Sequence, residues 1–382
     1  MTRIGIIGCG NICAAYFNLS RLFTDLQIVA CADLRQQAAQ DAANTYGVQA
    51  LSVDDLLADP KIDIVVNLTI PAAHFAVSER ALRVGKHVYS EKPLALDIGD
   101  GIKLRELAKE QGVMICCAPD TFLGGAPQHA REVIDQGQVG DITSGTCFVM
   151  SFGMEHWHPN PDFFYQKGGG PVLDIGPYYI SLLIHLLGPI KRLAALANTP
   201  RKERTITSQP RAGERITVDT PTTLLALLEF ASGATITLHA SWDVWAHRHA
   251  PVELYGSKGS LYLPDPNFFG GEILITDKNN PPAPLPVRSH PLGLSNFGDH
   301  ANYRTVGLAD MARAIVDGRE PRCSIDRALH CLDVMTGILQ SAHSGGFVSM
   351  QTTCTRPAAL TGDDARALLR EDWQQHLKSI DF

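Results

Sequence analysis

Two stretches of this 382-residue sequence carry ionisable side chains where the surrounding apolar pattern would not call for them. The first is Glu91–Lys92–Pro93, which follows the run His87–Ser90. If that run is a strand of a parallel sheet, Lys92 projects into the crevice at the carboxyl ends of the strands, where open sheets bind ligands. The second is Gly168–Gly169–Gly170–Pro171, followed by Val172–Leu173–Asp174–Ile175–Gly176–Pro177–Tyr178. Pro171 suits the first turn of a helix, and the spacing predicts one helix from there to about Leu187. Asp174 and Tyr178 are four residues apart and share a face, which Ser181 and His185 continue. A polar stripe on an otherwise apolar helix is either a wetted surface or the lining of the crevice.

A third signal lies at the start of the chain. The apolar run Ile4–Ile7 leads into Gly8–Cys9–Gly10–Asn11–Ile12–Cys13. In a dinucleotide-binding turn the first glycine permits the tight bend, and the second lets backbone N–H groups approach a pyrophosphate. The helix that follows supplies positive potential at its N-terminus. Cys13 replaces the third glycine and is still small enough for close packing of helix on strand. Asp33, at the end of the next apolar run, is placed to accept hydrogen bonds from ribose hydroxyls, which predicts NAD, because a carboxylate repels a 2′-phosphate. Arg35 is the competing signal: swung outward it would pair with that phosphate and favour NADP, and otherwise it is a solvated surface charge.

The elements that must hold these groups follow from the hydrophobic pattern. Strand candidates are Ile4–Ile7, Ile28–Ala32, Ile62–Asn67, His87–Ser90 and Val113–Cys117. Helical periodicity fills the intervals: Leu34, Ala38, Ala42 and Tyr46 up to a C-terminal cap at Gly47, Ala73 to Val84 up to Gly85, and a helix opening at Asp97 and stopping at Gly112. Such alternation predicts right-handed crossovers and a doubly wound parallel sheet over residues 1–120, a Rossmann fold. Beyond about residue 120 the period changes. Ile236, Leu238 and Ala240 alternate with Thr235, Thr237 and His239, as in a half-buried strand. Ala231–Ser232–Gly233 and Gly256–Ser257–Lys258–Gly259 read as hairpin turns. Residues 121–382 are therefore expected to form an α+β domain with an open, mostly antiparallel sheet, whose free face suits another subunit in a homodimer or homotetramer. The stretch Asn279 to Pro291 reads as a surface loop. Leu308, Met311 and Ile315 mark one amphipathic helix, and Ile325, Ala328, Leu332, Met335 and Leu339 a second. A last segment opens at Thr361-x-x-Asp364, a capping-box-like start, and its Leu368, Leu369, Trp373 and Leu377 are expected to dock, with the C-terminal helices packing back on the first domain.

Composition narrows the function. The chain carries 40 acidic and 33 basic side chains, a formal charge of -7, which disfavours nucleic acid as the main partner. No apolar run is long enough to span a bilayer and no signal-peptide pattern is visible. The nine cysteines include no C-x-x-C pair, and Cys9, Cys13, Cys31, Cys116, Cys117 and Cys147 fall in apolar contexts, so free thiols in a reducing cytoplasm are expected. Two weaker sites complete the reading. Asp120 falls where the crevice should open, within reach of substrate or cofactor. Glu155–His156–Trp157–His158–Pro159–Asn160–Pro161 offers a flat indole in Trp157 and directional polar groups in His158 and Asn160, suited to a sugar or simply to a packed aromatic loop. Its paired histidines, with His247 and His249, lack a zinc spacing, and no metal is expected.

Taken together, GCGNI, NLTIPAAH, EKP and GGGPVLDIGPYY resemble the Gfo/Idh/MocA family of oxidoreductases, in order and spacing over essentially the whole chain. The resemblance implies a Rossmann domain followed by a domain whose open sheet mediates oligomerisation. It matches Lys92 to the family's EKP lysine and Asp174 to the aspartate of its second motif, and implies cofactor-pocket positions at Thr69, Pro71, His74, Glu91 and Lys92. Many members carry histidine where this chain has Tyr178, which places it near the tyrosine-bearing branch. Oxidising an alcohol requires hydride departure to a nicotinamide and removal of the hydroxyl proton. A phenol beside an ammonium ionises more readily, so Tyr178 is expected to be the acid/base. Lys92 then supplies charge and bonds the substrate oxygen, and Asp174 orients substrate or Lys92; the alternative is Lys92 as the base. The expected activity is an NAD(P)-dependent dehydrogenase or reductase of a sugar, cyclitol or glycoside. The alternatives are a trans-dihydrodiol or other non-sugar carbonyl substrate, and a non-catalytic sensor of NAD and sugar.

Overall fold

The computed structural model describes residues 1–286, 289–378 and 380. The first third alternates strand and helix: β1 (Thr2–Ile7), α1 (Cys13–Leu19), β2 (Leu26–Ala32), α2 (Gln36–Tyr46), β3 (Gln49–Ala50), α3 (Val53–Ala58), β4 (Ile64–Asn67), α4 (Pro71–Arg83), β5 (His87–Ser90), α5 (Ile98–Gln111) and β6 (Ile115–Cys117). The six strands pair in parallel in the order β3-β2-β1-β4-β5-β6. The order reverses between β1 and β4, and a crevice opens there at the carboxyl ends. The caps follow the sequence. Gly47 and Gly112 end α2 and α5 in the left-handed conformation, and Asp97 caps α5 by accepting the Gly99 N–H. The expected strands are longer than the observed ones by two residues at Ile62 and Val113, and β3 is an edge strand too short to leave a periodic signal.

The chain then enters a second sheet. Its elements are α6 (Gly125–Asp135), β7 (Ile142–Met150), α7 (Asp162–Tyr165), α8 (Pro171–Asp174), α9 (Gly176–Leu187), β8 (Ile190–Asn198), β9 (Glu203–Thr205), β10 (Arg215–Thr217), β11 (Thr223–Phe230), β12 (Thr235–Ser241), β13 (Val252–Gly256), β14 (Gly259–Leu263), β15 (Leu274–Asp277) and β16 (Ala283–Pro284). With β17 (Val348–Ser349) they build a nine-stranded sheet, β16-β15-β14-β13-β7-β12-β11-β8-β17, antiparallel except for the β7–β12 pair, while β9 and β10 form a separate ribbon. Its inner face packs on α9, which is buried along its whole length. Each fully buried Leu or Ile of that helix contributes roughly 1.5–3 kcal/mol. Along β11 the burial alternates: Leu224, Ala226 and Leu228 point inward, Leu225 and Leu227 outward. The stretch expected as a surface loop from Asn279 to Pro291 contains the exposed edge strand β16, and positions 287 and 288 lie outside the described residues.

The remaining helices, α10 (Val306–Asp317), α11 (Ile325–Ser344), α12 (Gly362–Leu368) and α13 (Trp373–Lys378), tie the two sheets together. Leu308, Met311, Leu368 and Trp373 share one core with Ile4, Ile6 and Tyr16 of the first sheet, and Phe23 bridges to Leu369. Thr361 caps α12 by accepting the Asp364 N–H. Among the described residues no helix is long and apolar enough to cross a membrane.

Candidate active site

The sequence predicts one helix from Pro171 to Leu187; the structure divides it. Gly176–Pro177 interrupts the hydrogen-bond ladder, since proline has no N–H and restrains the residue before it. The Tyr178 N–H bonds the Ile175 carbonyl instead of that of Asp174. The freed Asp174 carbonyl oxygen accepts the Lys92 ammonium at 2.8 Å, and the Asp174 carboxylate Oδ1 accepts it at 2.9 Å. Two bonds from one residue therefore fix Lys92 across the gap between the sheets. The Lys92 side chain keeps 18% exposure and that of Asp174 20%, so the pair faces a crevice and is not sealed in the core. Burial disfavours the ammonium, but Asp174, Tyr178 and Glu91 outweigh it and hold Lys92 above its ordinary pKa, charged at neutral pH. Its nitrogen lies 5.5 Å from the centroid of the Tyr178 ring.

The rest of the expected polar stripe points elsewhere. Ser181 is fully buried and accepts a hydrogen bond from Arg327, which also donates to the Cys117 carbonyl and lies over the Phe122 ring. His185 is fully buried against Gln128, and burial beside Arg131 and Arg356 pushes its pKa well down. Ser181 belongs to the packing of α9 on α11 and His185 to that of α9 on α6, so the crevice receives only the first turn of the stripe.

Around Lys92 the carboxyl ends of the parallel strands converge. Glu91 accepts the Tyr16 hydroxyl at 2.9 Å and the Lys92 N–H at 3.0 Å, which ties α1 to the end of β5. Thr69 bonds Asn67 Oδ1, and Pro71 begins α4. His74 is buried and bridges the Pro93 and Thr69 carbonyls, holding two crevice loops together. Asp120 stands at the start of α10, where its Oδ2 accepts the N–H groups of Thr305 and Gly307. Burial pushes its carboxyl up to about 6, against those two donors and Arg304, which hold it down.

The glycine turn after β1 has the shape a pyrophosphate needs. Gly8 adopts a φ of +104°, and a Cβ there would stand 2.6 Å from the Leu68 carbonyl; at Gly10 a Cβ would meet nothing within 4 Å. The loop is therefore closed on its sheet side and open where a ligand backbone would lie. Asn11 and Ile12 complete it, Ile12 as the N-cap of α1. Asp33 is held from below, Oδ2 by the Cys9 N–H and Oδ1 by the Arg35 N–H, both at 2.8 Å. The Arg35 side chain is 77% exposed.

Trp157, His158 and Asn160 lie in the loop after β7. His158 accepts the Asn160 N–H and packs edge-on to Phe163 and Phe164, while Trp157 is exposed. Among the described residues none of the three makes a hydrogen bond or ring contact with Lys92, Asp174 or Tyr178, and no group of three or more His, Cys, Asp or Glu is placed to hold a metal.

One residue at the site gave no signal in the sequence. Arg304 stands 5.9 Å from the centroid of the Tyr178 ring, delivered by the segment that leads into α10. Nothing in the local pattern of Asn302–Tyr303–Arg304–Thr305 marks it, because its place depends on a fold-back from 126 residues beyond Tyr178.

Comparison with known proteins accords with this geometry. Residues 2–118 match the oxidoreductase family with an NAD-binding Rossmann fold, and residues 128–262 match the GFO/IDH/MocA C-terminal domain. A dTDP-3,4-didehydro-2,6-dideoxy-alpha-D-glucose 3-reductase of Streptomyces violaceoruber is 30% identical over 68% of this chain and 72% of its own. The scyllo-inositol 2-dehydrogenase (NAD(+)) of Bacillus subtilis is 26% identical over 68% of this chain and 73% of its own. Among solved structures, an NAD-binding oxidoreductase of Klebsiella pneumoniae superposes with a TM-score of 0.80 at 23% identity, over 91% of this chain and 99% of that one. Levoglucosan dehydrogenase in complex with NADH gives 0.78 at 20% identity, over 92% and 99%. The glycine turn, the lysine at the end of β5 and the aspartate that meets it thus sit in a chain that belongs to the Gfo/Idh/MocA family of nicotinamide-dependent oxidoreductases.

Proposed function

We propose that this enzyme transfers hydride between NAD and a secondary hydroxyl or carbonyl of a sugar, cyclitol or glycoside, with Tyr178 as acid/base. The observation that carries the reading is the contact of Lys92 with both the carbonyl and the carboxylate of Asp174, beside the Tyr178 ring. The names of the relatives, a sugar-nucleotide reductase and an inositol dehydrogenase, supply the substrate class.

Gly8, Gly10, Asn11 and Ile12 would hold the pyrophosphate, and Asp33 the adenosine ribose. The anchored carboxylate of Asp33 favours NAD over NADP, and Arg35 turns its Nε to within 3.7 Å of that carboxylate. When bound, the nicotinamide supplies the hydride acceptor in oxidation and the donor in reduction. Lys92, charged and facing the crevice, donates a hydrogen bond to the reacting oxygen, and Asp174 keeps it aimed. Tyr178 takes the hydroxyl proton in oxidation and returns it in reduction. A lysine held charged by its neighbours is a poor base, which favours Tyr178 over Lys92 for the proton. We further infer a homodimer or dimer of dimers through the outer face of the nine-stranded sheet, where Leu196, Leu225 and Leu227 are exposed.

The test follows nicotinamide absorbance against a panel of sugars, cyclitols and glycosides, then repeats the turnover with Lys92→Ala and Tyr178→Phe. Each should lose at least ~100-fold in turnover with cofactor affinity unchanged. Near-normal turnover by Tyr178→Phe would remove the tyrosine from the chemistry. No turnover of the panel by the wild-type enzyme would remove the substrate class.

A further inference from the structure

Arg304 is the second cation at Tyr178, and its surroundings differ from those of Lys92. Its guanidinium donates to Asn302 Oδ1 at 3.0 Å, to Asn267 Oδ1 at 2.8 Å and to the Asn267 carbonyl at 3.3 Å, all neutral acceptors. Among the described residues no carboxylate pairs with it. Lys92, by contrast, is matched by Asp174. The unneutralised charge at the tyrosine is therefore that of Arg304.

The backbone that delivers it is strained. Thr305 has a φ of +90°, the one non-glycine residue of positive φ among those described. A β-branched residue there is disfavoured, and such strain costs about 1–3 kcal/mol. Two bonds to Asp120 hold it, from the N–H of Thr305 and that of Gly307. The Thr305 hydroxyl is buried without a partner. An arrangement this costly needs a gain elsewhere, and the side chain it places is Arg304.

We propose that Arg304 is a positioning residue for the reaction: it presents to Tyr178 a permanent positive charge that no carboxylate among the described residues meets in an ion pair, and so favours the phenolate over the phenol. Lys92 alone would do this poorly, because Asp174 offsets its charge. The remaining charged and titratable groups around the pair are Glu91 just after β5, Asp120 in the segment after β6, and Asp265 and His300 from the loops beside Asn267. The carboxylates among them oppose the phenolate, which makes the guanidinium decisive. The Arg304 pKa lies above its ordinary value: burial works against the charge, and Tyr178 first, then Asp120 and Glu91, favour it.

The inference rests on Tyr178 being the acid/base, so its test uses a readout that needs no substrate. Tyrosinate absorbance is titrated in the wild-type enzyme and in Tyr178→Phe, and the difference isolates Tyr178. The same pair is measured in an Arg304→Gln background. The midpoint of Tyr178 should rise by about one pH unit or more when the guanidinium is lost, as expected for a cation within 4–6 Å. Asn267→Asp provides a second route that leaves Arg304 in place: a carboxylate replaces the amide oxygen and neutralises the guanidinium, and the midpoint should again rise. An unmoved midpoint in either folded variant overturns the proposal. If the midpoint moves while Tyr178→Phe retains turnover, the electrostatic role of Arg304 stands and the acid/base assignment of Tyr178 fails.

Discussion

Asp120→Asn tests how the start of α10 is held. The amide keeps an acceptor for the Thr305 and Gly307 N–H groups and removes a charge that is almost wholly buried. Raising the carboxyl from 3.8 to about 6 disfavours its ionised form in the folded protein. At 1.36 kcal/mol per factor of ten this amounts to about 3 kcal/mol. The sign follows from linkage: the folded-state pKa is raised, so the contribution is fully present below about 3.8 and is lost as pH rises through about 6. Asn does not titrate and avoids that loss. Its added N–H costs about 1 kcal/mol if it finds no partner. Urea unfolding at a series of pH values should therefore show Asp120→Asn about 2 kcal/mol more stable than wild type at pH 8, with the advantage gone by pH 4. A variant less stable at pH 8, or a difference flat across the series, would refute the picture of a buried carboxylate whose charge is a burden.

Three further outcomes bear on the cofactor and the assembly. Gly8→Ala should weaken NAD(H) binding at least ~10-fold, because the new Cβ meets the Leu68 carbonyl at 2.6 Å and φ is +104°; calorimetric titration of the folded variant decides it. Equilibrium binding should favour NAD(H) over NADP(H), and equal or reversed affinities would mean that Arg35, not Asp33, governs the ribose end. Leu225→Glu with Leu227→Glu should yield monomers in sedimentation at micromolar concentration, where the wild type sediments as a dimer or tetramer; a wild-type monomer would remove the sheet face as an interface.

Most of the first domain was legible because its parallel strands are buried on both faces and read as short apolar runs punctuated by capping residues. Gly47, Gly112 and Asp97 marked helix ends by conformation and hydrogen bonding that only those residue types supply cheaply. β3 escaped because two residues carry no period. In the second domain the turn at Ala231–Ser232–Gly233 bounds the apolar run of β11, whose outward Leu225 and Leu227 are as apolar as the inward positions and so erase the alternation. There the pattern identified the strand but gave no information about which face is covered.

The site was legible to the extent that local sequence fixes direction. Lys92 and Asp33 follow strands whose carboxyl ends must face the crevice, and the four-residue spacing of Asp174 and Tyr178 points both toward Lys92 although the helix breaks between them. The same periodicity failed past Tyr178, since it reports which residues share a face and not what packs there; Arg327, from the far end of the chain, claims Ser181. The break at Gly176–Pro177 was visible as a dipeptide, yet its consequence, a carbonyl freed to hold Lys92, required a partner 82 residues away. Arg304 is the limiting case. Its position depends on Asn302 and a strained Thr305, which are local, and on a clamp from Asp120 and an acceptor on Asn267, which are not. Groups whose role is set by the charge that surrounds them become recognisable only when those surroundings are assembled, and for Tyr178 that assembly spans β5, β6, α8 and the approach to α10.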